Sequence, residues 1–124
     1  MKILINDIEY GLQWGMGALE IYCDAMGCDI DGLDKVFLVN KEQNKAIVSL
    51  ILAAVQNYSE LKDEPLTLSV RQLQAWLDED AKNLPEVLDD FKNSKYLGRT
   101  ISEYLLGEEP GEVSIKKKSR SVKS

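Results

Sequence analysis

The chain has 124 residues, 44% of them apolar and 29% charged, with a net charge of −6, which is the size and make-up of one globular domain. No apolar run reaches the roughly 18 residues of a membrane span; the longest, Ala46 to Val55, contains Ser49. Met1-Lys2-Ile3-Leu4-Ile5 runs at once into Asn6-Asp7, so no signal peptide is expected and a cytosolic protein is the simplest reading. Charge is placed unevenly. Lys116, Lys117, Lys118, Arg120 and Lys123 put five positive charges and no acid in residues 114–124, which leaves −11 on residues 1–113. Such a body repels nucleic acid over most of its surface.

Residues 2–13 read as a β-hairpin. Lys2-Ile3-Leu4-Ile5 is a short apolar strand, and Asn6-Asp7 tolerate the positive φ of a tight turn. Ile8-Glu9-Tyr10-Gly11-Leu12-Gln13 alternates like a half-buried strand. A first helix is expected from about Gly15 to Met26, with Met16, Leu19, Tyr22, Cys23 and Met26 on one stripe and Gly27 as a left-handed cap. Cys23 and Cys28 flank that helix end. A disulfide is geometrically open to them there, although two reduced thiols are the expected state in a cytosolic protein.

A second helix follows a connector. Asn40 and Gln43 have capping-box spacing, and Ala46, Ile47, Leu50, Ile51, Ala54, Val55 and Tyr58 form a wide apolar face. It is expected to be the buried centre and to end before Ser59. Ser69 and Gln72 mark another capping box, leading to Val70, Leu73, Trp76 and Leu77. Pro85 suits the first position of the next helix, with Val87, Leu88 and Phe91 inward. A last helix is expected over about Tyr96 to Leu106, stopped by Gly107. The predicted fold is thus mainly α: a compact helical domain over residues 1–107 with a short N-terminal hairpin, and a disordered basic tail over 108–124. Its expected core includes Leu4, Leu19, Ile47, Leu50, Ile51, Ala54, Leu73 and Leu77.

Chemical motifs are sparse. There is no histidine, which removes the commonest general base and most zinc sites. Asp29-Ile30-Asp31-Gly32 resembles part of a calcium loop. Placing Gly32 sixth puts Gly27 first and Leu38 twelfth, where ligands are needed, so the match fails. Gly15 and Gly17 lack the third glycine of a dinucleotide loop, since Glu20 stands there; turns and close packing account for Gly11, Gly15 and Gly17. The acidic pairs Asp78/Asp80, Asp89/Asp90 and Glu108/Glu109 read as solvated faces. Leu68 to Leu77 carries only Arg71 and is followed by Asp78-Glu79-Asp80, unlike a DNA-reading helix. No enzyme, cofactor or metal site is expected.

Elimination points to binding. The hairpin leads into Leu12-Gln13-Trp14-Gly15-Met16-Gly17-Ala18-Leu19, then Asp29-Ile30-Asp31-Gly32-Leu33, the apolar Ile47 to Val55 helix, and Leu66-Thr67-Leu68-Ser69 before Leu73, Trp76 and Leu77. Over residues 2–95 this order resembles the tail assembly chaperones of long-tailed bacteriophages. The resemblance implies a non-enzymatic protein of the host cytoplasm, absent from the mature virion, that binds the tape measure protein and keeps it soluble while the tail tube assembles. Its family also implies a ribosomal frameshift near the C-terminus, and Lys116-Lys117-Lys118 is compatible with a slippery run of adenines. The expected partner is the tape measure protein or a similar apolar helical chain, with self-association left open, no membrane, and no nucleic acid through the acidic body. Val87, Phe91, Leu97, Tyr104 and Leu105 are the expected contacts, against the alternative that they complete the core. A structural virion subunit of the neck or connector, and an acidic inhibitor that mimics DNA, are the rival functions.

Overall fold

A computed structural model describes residues 1–29, 33, 36, 43–79 and 82–106. The polypeptide opens with a hairpin of β1 (Lys2–Ile5) and β2 (Ile8–Gly11), followed by α1 (Met16–Met26), α2 (Gln43–Lys62), α3 (Val70–Glu79) and α4 (Asn83–Lys92). Two-residue strands β3 (Lys95–Tyr96) and β4 (Arg99–Thr100) form a second hairpin, and α5 (Ile101–Leu106) closes the described chain. The fold is mainly helical, as predicted. Asn40, the boundary at Gly107 and the basic tail of 108–124 lie outside the described residues.

The first hairpin turns where Asn6 and Asp7 take φ of 54° and 67°, the pair of positive values a two-residue type I′ turn requires. Its register pairs Ile3 with Tyr10 and Leu4 with Glu9. Alternation therefore turns Ile3 and Ile5 inward, and Leu4, expected in the core, is 59% exposed. One strand cannot bury three consecutive apolar residues on one face. The β2 exit is tied to α2, because the Gln13 amide donates to the Ala54 carbonyl and the Asn57 side chain donates to the Gln13 carbonyl.

Helix α2 is the centre of the core. Ala46, Ile47, Val48, Leu50, Ile51, Ala53, Ala54 and Val55 are all buried. Helix α1 packs along it through Ala18, Leu19 and Tyr22. Gly17 lies against Asn57, while Met16 in the first turn is exposed rather than part of the stripe. Gly27 caps α1 in the left-handed region, as the sequence predicts. Helix α2 does not stop before Ser59. It runs to Lys62 and ends through Asp63 at φ 54°, with the Glu64 amide donating back to the Ser59 carbonyl at 2.9 Å.

The capping box of α3 is present in both halves: the Gln72 amide donates to Ser69 Oγ at 3.1 Å and the Ser69 amide donates to Gln72 Oε1 at 2.9 Å. Leu73 is buried, Trp76 and Leu77 pack at the core's edge, and Val70 is exposed. Helix α4 begins at Asn83, so Pro85 is its third residue and not its first; it still falls within the first turn, where a missing amide breaks no helical bond. Asn83 joins α4 to α3 by donating from its side chain to the Trp76 carbonyl. Among the described residues no helix is long and apolar enough to cross a membrane.

Candidate partner-binding surface

Two of the five expected contact residues lie in the core. Val87 and Phe91, on the inner face of α4, are 1% and 0% exposed. Phe91 meets Trp14 with ring centroids 5.0 Å apart, and Trp14 in turn donates its indole N–H to Asp90 Oδ2 at 2.7 Å. Their burial agrees with the inward face expected of α4 and with the alternative that they complete the core, and it corrects the expectation that they are open to a partner.

The other three belong to the module after α4, and its local structure differs from the expected helix over Tyr96 to Leu106. The chain leaves α4 at Asn93, and Ser94 Oγ donates to the Phe91 carbonyl at 2.6 Å. Lys95 then pairs with Thr100, and Tyr96 with Arg99, around a turn at Leu97 and Gly98. These two take φ of 52° and 86°. Helix α5 starts only at Ile101, behind a second capping box. The Glu103 amide donates to Thr100 Oγ1 at 3.1 Å, and the Thr100 amide donates to Glu103 Oε1 at 2.7 Å. That backbone donor first, with the Thr100 hydroxyl and the charges of Lys95 and Arg99, holds the Glu103 carboxyl below its ordinary range. Ile101 anchors the module: its side chain is fully buried and its amide donates to the Ser94 carbonyl.

On this anchor sits an aromatic and apolar cluster. Tyr96 and Tyr104 meet in a tilted pair with ring centroids 5.1 Å apart, and the Arg99 guanidinium lies 4.2 Å from the centre of the Tyr104 ring. Tyr104 and Leu105 are half-buried, and Leu97 at the turn is 64% exposed. Leu97, Tyr104 and Leu105 are thus brought together in one small unit. Tyr96 and Arg99 belong to it as well. The apolar spacing of the sequence puts Tyr96 on a helical stripe and gives Arg99 no place on it. The signal for both was the run Leu97-Gly98 followed by Thr100-x-x-Glu103, a turn and then a cap.

A left-handed leucine is costly. The conformation crowds an L side chain against the following carbonyl by about 1–2 kcal/mol, which asparagine or glycine would largely avoid. Exposed leucines are common, but this one is held in strain at a hairpin tip beside tyrosine and arginine. A recess of about 310 Å³ lies between α2, α3 and α4, lined by Ile47, Val48, Leu77 and Leu84 together with Asn44, Gln74 and Asp78. No family model, curated protein or solved structure matches the chain.

Proposed function

We propose that this chain is a non-enzymatic tail assembly chaperone of a long-tailed bacteriophage, which binds the tape measure protein in the host cytoplasm and keeps it soluble until the tail tube encloses it. One observation carries the reading on the structural side: Leu97 stands exposed in a left-handed turn, flanked by the Tyr96, Tyr104 and Arg99 cluster. A long helical chain with apolar stripes presents side chains that such an anchor can enter. The order of motifs over residues 2–95 supports the same family, and the net −11 on residues 1–113 would keep a complex with an apolar partner in solution.

The test is co-expression with the protein of the long tape measure gene that should lie downstream. Wild-type chain should move that protein from the pellet to the supernatant, and the chain should be missing from purified particles. Leu97→Asp should abolish the rescue while leaving the circular dichroism unchanged, since the side chain contributes little to the core. A tape measure protein that stays insoluble with wild-type chain would defeat the chaperone reading. Rescue undiminished by Leu97→Asp would defeat the choice of surface alone. Stoichiometric presence in virions would favour a neck or connector subunit instead.

A further inference from the structure

We propose that Cys23 and Cys28 form a dithiol site that closes to an intramolecular disulfide by exchange with small disulfides of the glutathione class. The site is made by the way α1 ends. Gly27 takes φ 65° and ψ 38°, and its amide donates to the Cys23 carbonyl. The Cys28 amide donates to that same carbonyl at 3.1 Å. This is the closure in which the second residue past the helix folds back over the last turn, and an apolar contact ordinarily fills the space between the two ends. Here both ends are cysteines. This closure sets the two cysteine side chains beside each other, where the apolar pair of such a cap would sit, and that is the proximity a disulfide needs. Both thiols are free and only half-buried, so a small disulfide can reach them.

The roles of the two sulfurs differ. Burial of the Cys23 thiol, followed by the neighbouring Cys28 and the Asp29 and Asp24 carboxylates, pushes its pKa up. Cys28, which lies past the end of α1 while Cys23 lies within its last turn, opens the exchange. Its thiolate attacks one sulfur of the external disulfide, forming a mixed disulfide and releasing one glutathione thiolate. Cys23 then gives up its proton and attacks Cys28 Sγ, and the second glutathione thiolate leaves. Two protein thiols are oxidised, one external disulfide is reduced to two thiols, and the two protons lost by the protein are taken up by the leaving thiolates. The bridge would clamp the α1 exit in the conformation it already has.

The experiment incubates the reduced full chain with oxidised glutathione, traps remaining thiols with iodoacetamide and weighs the intact protein. The expected product is a monomer lighter by two hydrogens, with neither cysteine alkylated. Cys23→Ser should instead retain one glutathione on Cys28, because the resolving thiol is gone. Wild-type chain that comes through with both thiols alkylated, with two glutathiones attached, or as a covalent dimer would overturn the proposal. A Cys23→Ser chain without an adduct would overturn the assigned order of attack.

Discussion

Two glycines show how closely α1 and the first hairpin approach α2. A Cβ on Gly17 would fall on the Asn57 side-chain amide, and one on Gly11 would fall within the Tyr58 ring. The two positions should respond differently. Asn57 is held by its bond to the Gln13 carbonyl, so Gly17→Ala must break that bond or part the helices. Overpacking costs about 1–3 kcal/mol, and the lost hydrogen bond adds about 1 kcal/mol. The gain in helix propensity is at most about 1 kcal/mol and smaller in a first turn. Gly17→Ala should therefore destabilise by about 1–4 kcal/mol in urea unfolding, the excess of those costs over that gain. Tyr58 is half-buried, with Lys62 Nζ 5.7 Å from its ring centre, and can swing outward. Gly11→Ala should cost less than Gly17→Ala, and the reverse order would mean that Tyr58 is the more firmly held neighbour. From sequence these glycines read as turn and packing residues, and the packing part holds at both positions; which side chain each one accommodates depends on long-range contact and has no local signal.

At the scale of elements, what was legible followed local chemistry, and what was missed followed its exceptions. Asn6-Asp7 specified the first turn, and Ser69 with Gln72 specified the α3 cap down to both hydrogen bonds. The end of α2 was hidden because its left-handed terminal residue is Asp63 rather than glycine. The α5 start was hidden because Tyr96, Leu97, Ile101, Tyr104 and Leu105 imitate a helical stripe, although Gly98 and Thr100-x-x-Glu103 interrupt it. Of the expected contact residues, Val87 and Phe91 lie inward as their helix face implied, and Phe91 does so against Trp14, far away in sequence. Two predictions belong to these elements. Asp7→Gly removes a side chain from the left-handed region and should raise stability by up to about 1 kcal/mol, read as a higher urea midpoint. A lower midpoint would mean that the Asp7 side chain itself stabilises the turn. Glu103, whose folded pKa is lowered, contributes stability that is present above the ordinary glutamate pKa and lost as pH falls through the folded value. Glu103→Gln should flatten the fall in melting temperature below the ordinary glutamate range. An unchanged acid limb would show that the carboxylate charge does not support the α5 cap.

Across the whole molecule, stability rests on one helix covered on nearly every side. Eight residues of α2 are buried, and α1, β2 and α3 all pack against it. A mainly helical reading with α2 at the centre was available from its apolar face alone, but the apolar content of a segment does not say which of its residues point inward. Leu50 and Leu4 separate the two kinds of information, because both were expected in the core. Leu50 is 0% exposed and Leu4 is 59% exposed. Leu50→Ala removes buried methyl groups from a position enclosed by neighbouring elements, which leaves a cavity that a packed centre cannot collapse, at a cost of about 2–5 kcal/mol. That is a large share of the roughly 5–15 kcal/mol by which a domain is stable. Leu4→Ala removes a side chain already mostly in water and should stay within about 0.5 kcal/mol. Both variants are measured by urea unfolding, with the midpoint expected to move for Leu50→Ala and the slope unchanged, since the surface exposed on unfolding barely differs. Equal losses for the two would mean that the hairpin register is shifted by one residue, which would exchange Leu4 with Ile3 and Ile5 in the core.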